Sequence, residues 1–439
     1  MKLPNHPQIE IAPISLPKRN PNGTIVFTDK LVELRAQMIR RHGFIPPILV
    51  SDDYTIVAGE DWYLAALKLN KAEVPVLRES FASDELRRAY SLADAKISSL
   101  TEFDQDALSV ELEFFFEAGF DITELGFSTA DLDFSVVEEV EPDKAGKAEE
   151  VELPDPDQIA VTRPRDLWLI GPHKAYCGDA RDSASWDTLL ASERADIVFG
   201  DAPYNVPING HVSGTGRHRE FAFASGEMSP AEFTHFLRSV FKNCVRFSRS
   251  GSIHYQCIDW RHIREILDAA DGVYGEFKQL LVWDKGTGGM GTFYRSRHEL
   301  VLAFKSGKAK HVNNFGLGET GRYRTNVIEY PGCNTFRKGR EADLAAHSTV
   351  KPTAMVVDFL LDCSNRGDLV VDPFLGSGTT LIAAHKAKRR GAGMEIDPLY
   401  VDTALKRLQG VTGIEPVLAG DGRTFSEIAA ERLSEREED

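Results

Sequence analysis

The sequence has few cysteines and no long apolar run. Its 439 residues include five cysteines, and no two of them form a CxxC pair. That spacing argues against a disulfide framework and against structural zinc, so we predict no metal site and expect a reducing, cytoplasmic environment. Because no stretch of about 18 apolar residues occurs, no membrane-spanning helix is expected. The first residues lack a basic stretch before an apolar core, so no signal peptide is expected either.

Positive charge is also scarce. The chain has 51 lysines and arginines against 67 acidic residues, which gives a formal net charge of −16. The basic footprint that is common in nucleic-acid-binding proteins is therefore missing from the chain as a whole. Much of the acid is concentrated in residues 138–157 and in the final residues ERLSEREED. A local basic cleft is still compatible with this distribution, so composition does not exclude a nucleic-acid partner.

The acidic, proline-bearing segment divides the chain. It lacks hydrophobic periodicity and aromatic residues, which is typical of a solvated linker. Short apolar runs and helical patterns before it predict a small α+β unit. We predict four parts: an N-terminal unit at 1–136, a linker at 137–158, a C-terminal unit at 159–415 and an acidic tail at 416–439.

The C-terminal unit alternates short apolar strands with helices. The predicted strands are 167–170, 197–199, 252–255, 280–283, 300–304, 369–371 and 391–395. The predicted helices are 229–247, 259–270, 353–364, 378–389 and 398–409. This alternation predicts an α/β fold with a doubly wound, mostly parallel sheet. Ligands of such sheets bind at the carboxyl ends of the strands.

A glycine-rich turn follows one of these strands. The segment LVVDPFLGSGTT ends a strand at Asp372, and Gly376 and Gly378 allow a tight bend and close approach of a ligand. Glu395 follows 17 positions after Gly378 and suits ribose hydroxyls. A dinucleotide motif needs a third glycine where Leu381 stands, and a triphosphate loop needs a lysine after the glycines. The alternatives that remain are a nucleoside without phosphates, namely S-adenosylmethionine, or a purely structural turn.

A second motif, Asp201-Ala202-Pro203-Tyr204, also ends a strand. The exocyclic amine of a base is a poor nucleophile because its lone pair is conjugated with the ring. The carboxylate of Asp201 and the carbonyl of Ala202 can accept its two N–H bonds, and Pro203 fixes the backbone. Tyr204 offers a stacking face worth about 1–3 kcal/mol per base. A strand-end turn with a surface tyrosine is the structural alternative.

Together the two motifs resemble those of the amino-DNA-methyltransferases, and their order resembles the permuted β-class. Two further segments support the resemblance: CGDA at 177–180, and HSTVKP at 347–352, with Ser348 where proline is usual. The resemblance implies a class I methyltransferase fold with seven strands, one antiparallel, and S-adenosylmethionine as cofactor. The residues implied to bind the cofactor are Asp179, Ala180, Thr349, Lys351, Asp372, Phe374, Gly376, Ser377, Gly378, Thr379, Glu395 and Asp397.

The opening Asp201 is more typical of enzymes that methylate adenine than of those that methylate the amine of cytosine. Ala202 departs from the usual D-P-P-Y, a change that the backbone carbonyl tolerates. The resemblance implies site-specific methylation of an adenine flipped out of double-stranded DNA. The alternatives are cytosine-N4 methylation and a DNA-binding protein with an inactive methyltransferase fold. A homodimer and a restriction partner are left open.

Loops between the two motifs are rich in glycine, basic and aromatic residues. Basic side chains neutralise phosphates or contact guanine, and aromatics fill the gap left by a flipped base. The predicted DNA-binding residues are Arg217, Arg219, Lys285, Tyr294, Arg295, Arg297, Arg322 and Arg324.

The N-terminal unit resembles the ParB-like (ParB/sulfiredoxin-type) domain. The resemblance rests on GFIPPILV at 43–50 and on IVAG at 56–59. Glu60 and Asp61 follow Gly59, and the arginine that grips phosphate in that family is absent. A scaffold or DNA-positioning role is therefore expected in preference to nucleotide hydrolysis.

Overall fold

The computed structural model divides the chain into two compact units, Met1–Leu132 and Asp133–Asp439. It describes residues 8–21, 23–98, 100, 103–127, 131, 133, 150–152, 154, 158–205, 226–286, 288, 293–315, 324–332, 334–336 and 350–437. Among these residues, no helix combines the length and the apolar character needed to cross a membrane.

The first unit is built on a four-stranded sheet in the order β1-β4-β2-β3. These strands are β1 (Ile9–Pro13), β2 (Ile48–Val50), β3 (Ile56–Ala58) and β4 (Glu73–Arg78). Its helices are Asp29–His42, Glu60–Lys68, Asp84–Ser98 and Gln105–Glu117, with a 3-10 turn at Ile122–Leu125. Buried apolar side chains from β2, β3 and β4 form its core. This mixture of strands and helices agrees with the small α+β unit expected from the sequence.

The second unit contains a ten-stranded sheet in the order β12-β10-β11-β9-β8-β14-β15-β7-β6-β16. The strands of the unit are β5 (Glu150–Glu152), β6 (Leu167–Ile170), β7 (His173–Cys177), β8 (Ala195–Gly200), β9 (Ser248–Ile258), β10 (Glu276–Asp284), β11 (His298–Lys305), β12 (Val327–Glu329), β13 (Asn334–Phe336), β14 (Leu369–Asp372), β15 (Arg390–Glu395) and β16 (Val417–Leu418). Its helices are Ser183–Leu190, Pro230–Arg246, Ile263–Ala270, Thr353–Cys363, Thr379–Lys386, Pro398–Thr412 and Phe425–Glu437, with a 3-10 turn at Trp260–His262.

The seven neighbouring strands from β10 to β7 form a mostly parallel sheet; six of them were predicted, and the seventh predicted strand, at 167–170, is β6 instead of β7. Within this set, β11 pairs antiparallel with both β10 and β9, while the pairs from β9 through β7 are parallel. The predicted class I architecture, with one antiparallel strand among seven, is therefore confirmed. Strands β12, β6 and β16 extend it at the two edges. A separate two-stranded pair joins β13 to β5. Strand β5 lies inside the segment predicted to be a linker, at 137–158.

Strand β7 was not predicted because its sequence begins with the polar residues His173 and Lys174. In the structure His173 is completely buried, and its Nδ1 accepts a hydrogen bond of 3.0 Å from the Gly391 N–H of β15. Burial lowers the pKa of His173 to about 4, so the ring is neutral near pH 7 and can accept this bond. A satisfied polar residue thus occupies a core position of the strand.

A buried ion pair stabilises the start of the second unit. The Arg389 side chain is fully buried, and its Nη1 and Nη2 each donate to the Asp133 carboxylate at 2.9 Å. Its other N–H groups donate to Ser364 and to the Ala387 carbonyl, so all five donors of the guanidinium are bound. Arg366 also contacts Asp133, at 3.2 Å.

We expect Asp133→Ala to lower the free energy of unfolding of the second unit by about 3–5 kcal/mol, since it leaves a buried guanidinium without its counter-charge. Urea denaturation followed by tryptophan fluorescence measures the change. The matched control is Asp421→Ala, whose carboxylate pairs with Arg423 at the exposed surface and whose loss is expected to change little. Equal stabilities of the two variants would contradict the anchoring role of Asp133.

Candidate active site

Four of the sequence motifs meet at one edge of the large sheet. Strands β8, β14, β15 and β7 are consecutive parallel neighbours, so their carboxyl ends lie side by side. Asp201 follows β8, Asp372 ends β14, Glu395 ends β15 and Asp179 follows β7. The fold therefore brings the glycine-rich turn and the catalytic motif to adjacent strand ends.

The glycine-rich turn leaves open space beside its backbone. Gly376 and Gly378 adopt left-handed conformations, with φ of 51° and 89°. At Gly376 a Cβ would meet only the Phe374 carbonyl oxygen, at 3.9 Å, whereas at Gly378 it would lie 2.8 Å from the Ala404 Cβ. Gly378 is thus required for helix packing, and Gly376 leaves room for a ligand. Arg407 holds the turn from behind by donating to the carbonyl and hydroxyl oxygens of Ser377, at 2.7 and 2.8 Å.

The acidic side chains at this edge are held by internal hydrogen bonds. Asp372 accepts from the Phe374 N–H at 2.8 Å and from the Thr380 hydroxyl at 2.5 Å. Glu395 accepts from the backbone N–H groups of Gly376 and Asp397, both at 2.9 Å. Burial raises the pKa of Asp372 to about 7 and also raises the pKa of Glu395. A nearby cation would favour the ionised forms of both groups.

The turn after β7 carries Asp179 and Ala180. Arg181 donates to both carboxylate oxygens of Asp179, with Nη2 at 2.6 Å and Nε at 3.0 Å. The Ala180 carbonyl accepts from Trp186 Nε1 and from Asn243 Nδ2, at 2.8 and 3.0 Å. These contacts fix the turn against the underlying helices.

Asp397 lies next to the cofactor-side acid Glu395. Its carboxylate accepts from the Leu399 N–H at 3.0 Å and caps the helix Pro398–Thr412. The Asp397 side chain thus has a structural role in this structure, and its backbone N–H holds Glu395 in place.

This set of groups fits S-adenosylmethionine. The cofactor is a nucleoside with ribose hydroxyls and a sulfonium cation, and the edge presents several carboxylates beside the open backbone at Gly376. The residues that would hold it are those predicted from the sequence at this edge, namely Glu395, Asp179, Phe374, Asp372 and the turn at 376–379. Within the described ranges, no group of three or more His, Cys, Asp or Glu side chains is arranged to hold a metal ion.

The catalytic motif forms a compact polar cluster beside the turn. The Tyr204 hydroxyl donates to Asp201 Oδ1 at 2.7 Å, and the Lys351 ammonium donates to Asp201 Oδ2 at 2.6 Å. Burial raises the pKa of Asp201, against the opposing effect of Lys351. The Lys351 side chain is 4% exposed, and its Nζ lies 5.2 Å from the centre of the Tyr204 ring. The resemblance assigned Lys351 to the cofactor, whereas here its ammonium contacts the Asp201 carboxylate.

Glu299 and Trp283 complete the cluster, and sequence reasoning did not identify either. Glu299 Oε2 lies 3.2 Å from the Lys351 ammonium and 3.1 Å from the Tyr204 hydroxyl, while Oε1 accepts from Lys285. The ring of Trp283 lies beneath two ammonium groups. Its centre is 4.8 Å from Lys285 Nζ and 5.9 Å from Lys351 Nζ. A signal was present in the sequence, because Trp283 ends the predicted strand 280–283 and Glu299 immediately precedes the predicted strand 300–304.

The loop after Tyr204 is held by Asn205, another residue that was not predicted. Asn205 has a φ of 54°, a left-handed conformation that asparagine tolerates better than most residues. Its side chain is buried, donates to the Met228 carbonyl and accepts from the N–H groups of Gly226 and Met228. Ala202 is also buried, and it packs in the apolar cluster with Phe233 and Phe236. Together these contacts hold the catalytic turn.

The predicted DNA-binding residues are placed differently from one another. Arg217, Arg219 and Arg322 lie outside the described residues, as does Thr349 of the predicted cofactor set. Tyr294 is 86% exposed, and Arg295 is exposed beside it, in the loop between β10 and β11.

The other predicted DNA-binding residues form ion pairs within the protein. Arg297 pairs with Asp284, and Lys285 pairs with Glu299. Arg324 binds Asp358 at 2.6 Å and Asp362 at 3.0 Å. Their roles in DNA binding remain predictions.

In the first unit, the acids that replace the expected arginine are paired with basic side chains. Gly59 precedes the helix Glu60–Lys68 in a left-handed conformation. Glu60 accepts from Arg19 and Asp61 from Arg35, at 2.5 and 2.7 Å. Negative side chains therefore occupy the helix N-terminus, where an anionic ligand would otherwise be favoured.

Comparisons with known proteins agree with both resemblances, to the amino-DNA-methyltransferases and to the ParB-like domain. Residues 195–406 match a family described as DNA methylase, of the N6/N4 type, and residues 5–95 match the ParB N-terminal domain. The type II methyltransferase M.HpaI of Haemophilus parainfluenzae is 25% identical over 235 residues, which cover 50% of this chain and 69% of that protein. M.HinfI of Haemophilus influenzae is 26% identical, with coverages of 51% and 65%.

A solved structure described as the cytosine-N4-specific PvuII DNA methyltransferase matches with a TM-score of 0.42 and 15% identity, covering 62% of this chain and 94% of that one. The family matches cover the two units separately. Residues 195–406 therefore match the DNA methylases of the N6/N4 type, whose cofactor is S-adenosylmethionine, and residues 5–95 ahead of them match the ParB N-terminal domain.

Proposed function

We propose that this protein acts in the cytoplasm and methylates the exocyclic N6 amine of an adenine flipped out of double-stranded DNA. The observation that carries the proposal is the Asp201 carboxylate, which lies beside the cofactor turn and is bound by Tyr204 and Lys351. An aspartate at this position is more typical of adenine enzymes. The family match extends to DNA methylation at exocyclic amines, and the choice of adenine rests on Asp201.

The residues of the cluster have distinct roles in this proposal. Asp201 and the Ala202 carbonyl accept the N–H bonds of the target amine, so that its lone pair is free to react. Tyr204 supplies the stacking face, and Pro203 keeps the turn rigid. When bound, S-adenosylmethionine supplies an electrophilic methyl group. Holding the two reactants side by side at adjacent strand ends provides much of the rate enhancement.

The loop between β10 and β11 is the proposed DNA contact. Its described residues 293–297 lead into the start of β11, so they lie at the same sheet edge as Asp201. Phe293 and Tyr294 are 87% and 86% exposed, with ring centres 4.6 Å apart, and Arg295 follows them. Exposed rings beside a guanidinium suit a flipped-base gap flanked by phosphates.

The test is to incubate the full chain with S-adenosylmethionine labelled in its methyl group and with duplex DNA of diverse sequence. Digestion and nucleoside chromatography are expected to place the label in N6-methyladenine. Label in N4-methylcytosine would refute the adenine assignment while keeping amine methylation. If calorimetry shows that the cofactor binds but no label is transferred to DNA, the result would instead favour a DNA-binding protein with an inactive methyltransferase fold.

A further inference from the structure

Glu299 shares both side-chain partners of the catalytic carboxylate. Asp201 binds the Tyr204 hydroxyl at 2.7 Å and the Lys351 ammonium at 2.6 Å. Glu299 Oε2 lies 3.1 Å from the same hydroxyl and 3.2 Å from the same ammonium. The Glu299 side chain is 12% exposed, so these interactions occur largely away from water. A second carboxylate is thus ready to take either partner.

The fold explains why Glu299 reaches this site. Strand β11 runs antiparallel to its neighbours, so it begins at the edge where the parallel strands end. Glu299 is its second residue and pairs in register with Trp283 of β10. An acidic residue near the start of this strand therefore faces the same edge as Asp201.

The charges of the cluster balance. Two carboxylates, Asp201 and Glu299, face two ammonium groups, Lys351 and Lys285. Other titratable groups that interact with this cluster include the Tyr204 hydroxyl, the Cys257 thiol of β9 and the Asp372 carboxylate. Burial raises the pKa of Tyr204 and Cys257 well above their usual values and that of Asp372 to about 7. Although burial favours the neutral acid, Lys351 and Lys285 lower the pKa of Glu299 to about 2. The Glu299 side chain is therefore ionised throughout the range in which the enzyme would work.

We propose that Glu299 is a positioning residue for the methylation reaction: it takes over Lys351 and Tyr204 so that the Asp201 carboxylate can accept the N–H groups of the target amine. This inference rests on the proposed function. With Tyr204 on one oxygen and Lys351 on the other, both oxygens of Asp201 are already engaged. Breaking the ion pair of a buried ammonium costs free energy unless another partner replaces the lost carboxylate. Glu299 removes that cost because it already lies within reach of both groups.

Glu299→Gln tests the inference, because the amide keeps the shape and removes the charge. We expect kcat to fall about 10–100-fold while KM for S-adenosylmethionine changes less than about threefold, since Glu299 lies away from the glycine-rich turn. Loss of a like charge also lowers the pKa of Asp201, so the acid limb of the kcat profile moves to lower pH. A merely structural role would not shift that limb. A kcat within twofold of wild type, or a fall in kcat with an unmoved acid limb, would overturn the inference.

Two controls keep the result interpretable. If Glu299→Gln lowers the melting temperature by more than a few degrees, the double variant Glu299→Gln/Lys285→Gln, in which the remaining charges balance, replaces it. Slow turnover at saturating DNA in that variant supports the inference, and wild-type turnover overturns it. The wild-type protein in the same assay separates the two ideas. An inactive wild type refutes the proposed function and this inference with it, whereas equal activity of wild type and variant refutes the inference alone.

Discussion

Asp201→Ala is expected to reduce methyl transfer to DNA by about 10²–10³-fold, the range seen when one preorganised transition-state contact is removed. The variant loses the charged acceptor for the target amine and removes one of the two carboxylates beside the buried Lys351 ammonium. Binding of S-adenosylmethionine should change by less than about threefold, because the glycine-rich turn and Glu395 are untouched. Single-turnover transfer of labelled methyl measures the first effect, and calorimetry measures the second.

Two variants make this result specific. Asp201→Asn keeps the shape of the side chain but presents a neutral oxygen and an N–H group, so it should be nearly as slow as the alanine variant. Asp187→Ala removes an exposed carboxylate from the helix Ser183–Leu190 and should behave as wild type. Undiminished transfer by either Asp201 variant would show that this carboxylate is not the amine acceptor.

Lys351→Met is expected to lower kcat by about 10²-fold and to move the acid limb of its pH profile upward. Burial raises the pKa of Asp201, and the Lys351 ammonium opposes that rise. Only the ionised carboxylate accepts the amine, so activity is lost as pH falls through the pKa of Asp201. Removing an opposite charge at this distance raises that pKa by about 1–3 units. The acid limb should therefore shift to higher pH by a similar amount, opposite in direction to the shift expected for Glu299→Gln.

The control for this variant is Lys386→Met, an exposed lysine at the end of the helix Thr379–Lys386, which should leave the profile unchanged. Lys351→Arg keeps the charge and should keep the acid limb near its wild-type position. If Lys351→Met weakens cofactor binding while the limb stays in place, the role implied by resemblance, holding the methionine end of the cofactor, would replace the electrostatic role that we infer from the geometry.

Local patterns were sufficient to predict most of the second unit. Short apolar runs marked β8, β9, β10, β11, β14 and β15, because a buried strand must be apolar along most of its length. Strand β7 escaped prediction, because His173 is polar and becomes acceptable in the core only through its hydrogen bond to Gly391. The partner of Asp133 could not be predicted either, because 256 positions separate it from Arg389.

The residues of the candidate site also fall into two groups: those that local motifs indicate and those that only the fold brings to the site. Motifs whose chemistry lies in consecutive residues, such as Asp201–Tyr204 and the turn at 372–380, are visible in the sequence because their spacing is local. Glu299 and Trp283 carry no such motif. They join the cluster because β11 is antiparallel and begins where its neighbours end.

The sequence by itself determined the alternation of strands and helices, the glycine turn and the carboxylate motif, since each depends on side chains close together along the chain. Only the tertiary structure decided which charges meet. Lys351 contacts Asp201 across 150 positions of the chain, and Glu299 contacts the same Lys351 ammonium. Electrostatic interactions depend on distance through space, and strand order and direction set that distance.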